Sequence, residues 1–482
     1  LQQGIPVSDI LYLEGDRMPQ YQPGTDLYEL PVGYKSQPVN PDILISQART
    51  DGSGMISAAG QQFRLLLLPN DSVMDPATLQ GIADLVQNGA ILFGPPPTAT
   101  LSLNRLGENN ADLKDLTMKI WGTVDGNIRT DREFGKGRVI WGESLASLIG
   151  RLGIKPDFEW ISGDSAKLIF IHKRAGSDDI FYVANQEDRA VRTECRFRVE
   201  GKTPEIWDPQ YGTIREIALF LSGDGCTRIP VTFGPKESFL FVFKEKISRE
   251  YVASLSSGEG QLFPMEDPEN MDGQSPEISY AENGYIVNSR ESRDYMLTTS
   301  KGRSARVTTG GTEVVPVEDN EIEVIFDKEI PSLKISHPVS WTELDNPDQQ
   351  FFSGSAVYSI DFSIPEGWLI REDPVYLLLG EVQMTARVSL NGQSLGTVWI
   401  PDYRLPVSGI LKEGENLLEI EVANVYRNRI IGDLRQYGKM ENIWTSAPVD
   451  DLFNPEMEPR ISGLLGPVRI IRPRPAVVNF DD

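Results

Sequence analysis

The sequence predicts a multidomain chain that is α/β at its N-terminal end and all-β thereafter, and three observations predict it. Continuous apolar runs alternate with capped helical stretches up to about residue 155. From there to about residue 247 the apolar residues recur at every second position. Beyond about residue 276, eight or more short strands follow one another between turns.

In the first segment "VSDILYL" (7–13) reads as a strand, and "FRLLLLP" (63–69) is the unbroken apolar run of a strand buried on both faces. The stretch "DPATLQGIADLVQNG" (75–89) then supplies Asp75 as N-cap, Pro76 at the first helical position and Gly89 as the stop. Next come the strand "AILFG" (90–94), an irregular stretch, the strand "GRVIWG" (137–142) and the helical "ESLASLIGRLG" (143–153). Residues 1–157 are therefore expected to form a flavodoxin- or amidotransferase-like parallel α/β domain. Its post-strand loops "PNDSVMDP" and "GPPPTATLSL" lack a glycine-rich phosphate cradle, and both cysteines lie elsewhere, so a structural role is preferred over catalysis or nucleotide binding.

Residues 158–247 carry six period-two runs, from "AKLIFIHKR" to "SFLFVFK", and are expected to form a small antiparallel β-sandwich. His172 falls inside one of these strands, where an inward or edge histidine is the preferred reading over a ligand or proton carrier. Residues 248–275 are polar and turn-rich, which marks a linker or inserted loop. Its acidic piece "MEDPENMDG" (265–273) offers oxygen ligands for calcium without EF-hand spacing, and a solvated loop is preferred.

Residues 276–482 are expected to form a jelly-roll sandwich. Within it "LNGQSLGTVW" (390–399) carries Asn391-Gly392, both tolerant of the positive φ that a two-residue hairpin turn requires. Just past this hairpin, Trp399, Asp402, Tyr403 and Arg404 offer an aromatic face and hydrogen-bonding groups suited to a sugar, the alternative being domain packing with Arg404 paired to Asp402. A second candidate is the contact surface "ANVYRNRIIGDL" (423–434), with Ile430 and Ile431 as anchors among Tyr426, Arg427, Asn428, Arg429 and Asp433.

Composition excludes several function classes. The formal charge of −24 repels phosphate backbones, which argues against nucleic acid as a partner. Two cysteines, Cys195 and Cys226, and two histidines leave little for a Cys or His metal site, and two reduced thiols are preferred over a bridge. No run of 18 or more apolar residues exists to span a membrane. Adjacent carboxylates such as Asp450 and Asp451 occur by chance among 70 acidic residues and nominate no catalytic pair.

Several stretches together resemble glycoside hydrolase family 106, the α-L-rhamnosidases: "PVSDILYLEGD" (6–16), "LPVGYKSQPVNPDIL" (30–44), residues 65–103, "GKGRVIWGESL" (135–145), "DIFYVANQ" (179–186), "FFSGSAVYSIDF" (351–362), "ANVYRNRIIGDL" and "SGLLGPVRI" (462–470). The resemblance implies an inverting, calcium-dependent hydrolase of terminal α-L-rhamnose, with catalytic glutamates on a (β/α)₈ barrel that precedes the matched region. It further implies a galactose-binding-like C-terminal sandwich and a periplasmic or cell-surface location. The expected partners are the N-terminal catalytic barrel of the same polypeptide and a rhamnose-containing glycan. No catalytic or metal-binding residue carries over to a position of this chain; calcium is expected of the intact enzyme, and no cofactor of this half. The opening "LQQG" reads as the end of a helix, so a piece of a longer protein is expected. The alternative is a non-catalytic carbohydrate-binding multidomain protein.

Overall fold

Five parallel strands form the heart of the N-terminal domain. The computed structural model describes residues 2–15, 28–101, 106–162, 165–258, 260–265, 275–317, 321–327, 330–370, 373–441, 443–446 and 448–480. In space the strands run Ser36–Val39, Ile10–Leu13, Leu65–Leu67, Ile91–Phe93 and Gly137–Ile140, an order of 2-1-3-4-5, with Asp131–Phe134 added antiparallel at the edge. Leu65, Leu66 and Leu67 are fully buried because helices cover both faces of the sheet, which is why the run shows no alternation. The helix Pro76–Gln87 starts as its sequence dictates, with the Asp75 carboxylate accepting from the Ala77 N–H at 2.9 Å.

The stretch read as irregular contains a 16-residue helix, Leu106–Trp121. Its polar composition hides the buried stripe, which includes Leu113, Ile120 and Trp121. The Trp121 indole donates to the Gly94 carbonyl at 3.1 Å and so ties this helix to the loop after the fourth strand.

The middle sandwich packs a six-stranded sheet on a four-stranded one around a phenylalanine-rich core that includes Phe158, Phe181, Phe197 and Phe241. The edge of the larger sheet is Ile5–Pro6, paired antiparallel with Leu168–Ala175, so the first described residues belong to this sandwich and not to the α/β domain expected for 1–157. Cys195 is buried in the core, Cys226 is half-buried, and both are free thiols.

His172 points inward at the seam between these two domains. Its Nδ1 lies 2.9 Å from Asp157 Oδ2 and its Nε2 3.1 Å from Asp179 Oδ1, while Arg198 bridges Asp157 and Asp9 and Lys202 reaches Asp179. Burial opposes the imidazolium, but the hydrogen bonds to Asp157 and Asp179 outweigh it and the His172 pKa is raised. Burial likewise opposes the Asp179 charge, and the bonds from His172 and Lys202 hold it well below the usual carboxylate range.

Residues 248–275 are not simply a linker. Val252–Ser257 pairs with Gly260–Phe263 on one side and with Asp294–Thr299 on the other, and Val252, Leu255 and Phe263 are buried. Alternating serines gave the stretch its loop-like composition, although only one face needs to be apolar. With Glu277–Tyr280, Tyr285–Asn288 and the C-terminal Ala476–Val478, these strands enclose a core of their own. Of the acidic candidate calcium loop (265–273), all but Met265 lies outside the described residues.

The region expected as one jelly-roll over 276–482 is therefore divided. A larger sandwich spans Gly311 to Arg474 and packs a sheet of Leu333–Ile335, Ile322–Phe326, Ser355–Ile364, Gly414–Ala423, Thr385–Leu390 and Gln393–Val398 against one of Gly311–Pro316, Arg469–Arg474, Tyr376–Leu378 and Arg404–Pro406. Its chain enters and leaves side by side, since Gly311 is the register partner of Arg474. The Asn391-Gly392 hairpin forms as read, with φ of 53° and 76° and Leu390 opposite Gln393.

Candidate functional site

A cleft of about 1190 Å³ opens where the middle sandwich, the small C-terminal sheet and the larger sandwich meet. Its floor is the outer face of the four-stranded sheet of the larger sandwich. Strand alternation creates that face: Leu377, Leu405 and Ile470 point into the core, so Tyr376, Leu378, Arg404, Pro406, Arg469 and Ile471 line the cleft. Val314, 49% exposed, extends the apolar surface. The outer face of this sheet thus mixes apolar side chains with the arginines Arg404 and Arg469. The strand after the hairpin brings in Leu395 to Val398 and, at its end, Trp399 at 57% exposure.

Of the four residues singled out after the hairpin, three line this cleft and one does not. Trp399, Asp402 and Arg404 face it, whereas Tyr403 is buried and its hydroxyl donates to the Val382 carbonyl at 3.0 Å. Tyr403 has a φ of 52°, a left-handed conformation uncommon for an aromatic residue. The reversal sends its ring under the loop and leaves its two neighbours on the cleft side.

The middle sandwich closes the other wall with Tyr211, in the turn after Lys202–Asp208. The Tyr211 hydroxyl donates to Asp402 Oδ1 at 2.8 Å and accepts from the Arg404 N–H at 3.3 Å. The Arg404 guanidinium lies over two rings, 5.3 Å from that of Tyr211 and 5.0 Å from that of Tyr376, with Nε 3.8 Å from Asp402 Oδ2. Burial first, then the Asp402 charge, pushes the Tyr211 phenol up, so it remains a hydrogen-bond donor across the accessible pH range. Asp208 holds the turn in shape by accepting from the Gln210 and Tyr211 N–H groups at 2.8 and 3.2 Å.

Glu237 is the second carboxyl group of note in the cleft. It sits just before Ser238–Lys246 and accepts from the Gly234 N–H at 2.6 Å. Burial pushes its pKa up to about 7, aided by the charges of Asp402 and Asp208 and opposed by the Gly234 N–H and Arg404. Tyr211 and Glu237 were not singled out from sequence. The available signal was an aromatic residue in the otherwise polar turn "DPQYG"; "GPKE" looks like any solvent turn.

The second candidate group does not join the cleft. Residues Arg427–Tyr437 form a helix in which Asn428, Ile430, Ile431 and Asp433 are buried within this chain, so the two isoleucines are core residues here and not free anchors. Asn428 donates to the Arg460 carbonyl at 2.6 Å and to Ser462 Oγ at 3.0 Å and accepts from the Arg460 N–H at 2.7 Å. Arg429 pairs with Asp433 at 2.8 Å, and Asp433 also accepts from the Glu441 N–H at 2.9 Å. The helix packs so closely that a Cβ on Gly432 would come within 2.7 Å of Phe351. Tyr426 is 65% exposed, and Arg427 is half-buried, 5.9 Å from the Phe453 ring.

Among the described residues no group of three or more His, Cys, Asp or Glu side chains is arranged to hold a metal ion. The described residues thus offer no such group for calcium, which the resemblance implies for the intact enzyme. Among the same residues no helix is long and apolar enough to cross a membrane.

Comparison with known proteins places the chain among relatives of glycosidases, a class of carbohydrate-active enzymes. Within that class the resemblance is to glycoside hydrolase family 106, whose model, described as alpha-L-rhamnosidase, matches residues 1–220. A rhamnosidase from Novosphingobium sp. PP1Y superposes with a TM-score of 0.69 and 28% identity over 97% of this chain and 39% of that one. A Formosa agariphila protein provisionally named a beta-glucuronidase is 24% identical over 98% of this chain and 56% of its own length. The chain thus spans about half or less of the length of these relatives. A beta-glucuronidase from Ruminococcus gnavus, at a TM-score of 0.25 and 16% identity over 34% of this chain and 29% of that one, carries no argument.

Proposed function

We propose that this chain is the accessory C-terminal region of a carbohydrate-active enzyme resembling the α-L-rhamnosidases, framing an active site carried by a catalytic barrel in the same polypeptide. The carrying observation is coverage: 97% of the chain aligns with a rhamnosidase of which it accounts for 39%. On this reading the N-terminal domain is flavodoxin- or amidotransferase-like and the larger sandwich a galactose-binding-like jelly roll. Calcium and the acid and base belong to the barrel, the substrate is a rhamnose-containing glycan, and the location is periplasmic or cell-surface.

The test is hydrolysis of an aryl α-L-rhamnoside by the purified chain and by the same polypeptide extended N-terminally through the barrel. Turnover is expected only from the extended protein, because the general acid and base supply a large share of such an enzyme's rate enhancement. Turnover by the chain alone, abolished by Glu237→Gln, would overturn the reading. The second reading, a non-catalytic carbohydrate-binding protein, is favoured by the cleft itself. An extended protein that binds glycan and never hydrolyses it would establish that reading.

A further inference from the structure

Charges in the cleft are distributed unlike those of the chain that contains it. The chain carries a net −24, yet five arginines line this one cavity: Arg192, Arg215, Arg290, Arg404 and Arg469. Two of them have acidic partners, Arg215 with Glu277 at 3.2 Å and Arg404 with Asp402 at 3.8 Å. Among the described residues no carboxylate lies within ion-pair distance of Arg192, Arg290 or Arg469.

The acidic groups of the cleft are already engaged. Asp402 accepts from the Tyr211 hydroxyl, Asp208 caps its turn, and Glu277 holds Arg215. Glu237, with its pKa near neutrality, is largely protonated below about pH 7 and then repels nothing. Three cations thus face a cavity in which, among the described residues, no protein anion neutralises them, over a floor of Tyr376, Leu378 and Ile471.

We propose that this cleft binds an acidic saccharide segment, its carboxylate or sulfate groups held by Arg192, Arg290 and Arg469 and its ring faces lying on the floor around Tyr376. Guanidinium forks match carboxylate and sulfate oxygens in bidentate geometry, and flat apolar and aromatic surface suits the C–H faces of pyranose rings. The volume of about 1190 Å³ exceeds the roughly 300–1,000 Å³ of ordinary small-molecule sites, which suits several linked sugars. The proposal concerns binding by this chain and stands whether or not the chain serves a catalytic barrel.

Isothermal titration of the full chain with three probes tests it: a galacturonic acid trisaccharide, a sulfated galactose trisaccharide and neutral maltotriose, each at low and at high salt. At least one anionic probe is expected to bind about tenfold tighter than maltotriose at low salt, with the advantage shrinking at high salt as exposed charges are screened. The better anionic probe identifies carboxylate or sulfate as the recognised group. The triple variant Arg192→Gln, Arg290→Gln, Arg469→Gln should keep the wild-type melting temperature and lose the anionic preference. Equal binding of neutral and anionic probes, no binding of any probe, or an anionic preference that survives in the folded triple variant would each overturn the proposal.

Discussion

The hydroxyl of Tyr211 and the carboxylate of Asp402, 191 positions apart in the chain, meet at 2.8 Å across the junction of two sandwiches. The same oxygen accepts from the Arg404 N–H, and the Gln210 side chain adds a bond to the Ile400 carbonyl at 3.2 Å. One turn of the middle sandwich thereby fixes the loop that presents Asp402 and Arg404.

Replacing Tyr211 by Phe removes that oxygen and keeps the ring. The half-buried Asp402 then loses its donor, so a destabilisation of about 1–2 kcal/mol is expected. Scanning calorimetry should show a lowered transition temperature, and a Phe variant that melts with the wild type would show that the junction does not depend on this bond.

Glu237 gives the protein a pH dependence of known sign. Its carboxyl pKa is raised from 4.5 to about 7 on folding, so the stability linked to its protonation is full below about pH 4.5 and is lost as pH rises through 7. Glu237→Gln stays neutral throughout. The variant should match the wild type at pH 4 and exceed it by about 1–3 kcal/mol at pH 8, read from melting curves at the two pH values.

His172 contributes in a different window. Its pKa is raised on folding, so its contribution is present below the unfolded value of 6.5 and is lost as pH rises through the raised folded value. His172→Gln leaves Asp157 and Asp179 without the imidazolium and should destabilise by about 3 kcal/mol at pH 6, with the deficit shrinking towards high pH. NMR titration of the imidazole checks the direction: a midpoint below 6.5 would contradict it.

The helix Arg427–Tyr437 separates two classes of substitution. Asn428→Ala breaks three hydrogen bonds to the Arg460–Ser462 segment in a buried site and should cost about 2–3 kcal/mol. Arg427→Ala, at a half-buried position with no ion pair or hydrogen bond among the described residues, should cost less than about 1 kcal/mol. Comparable losses for both, measured by denaturant titration, would place Arg427 in the interior contacts as well.

The N-terminal parallel sheet was readable because Leu65 to Leu68 form an unbroken run and Asp75-Pro76 marks a helix start, signals that are local. The helix Leu106–Trp121 was not, because half of its 16 residues are polar and its apolar stripe is thin. Val252–Ser257 was hidden by serines on its outer face. In the cleft, the hairpin at Asn391-Gly392 pointed to Trp399, Asp402 and Arg404, while Tyr403 followed the same cue and went inward because of its left-handed backbone. Tyr211 and Glu237 could not be found that way: packing between sandwiches brings them to the cleft, and that packing has no short-range signature. The run from Tyr426 to Asp433 looked like a surface because its polar groups are satisfied by Arg460, Ser462 and Glu441, which lie outside the stretch.

The register pairing of Gly311 with Arg474 has a mechanical consequence. A lobe of about 160 residues hangs from two chain crossings that touch, and Ala476–Val478 is then stitched into the sheet beside Tyr285–Asn288. Such a mount joins the lobe to the rest of the molecule by two neighbouring strands, which lie at one edge of it. On the far edge, among the described residues, the lobe is held by side chains alone, with Tyr211 and Gln210 gripping the loop from Ile400 to Arg404, so that edge is secured without any shared strand.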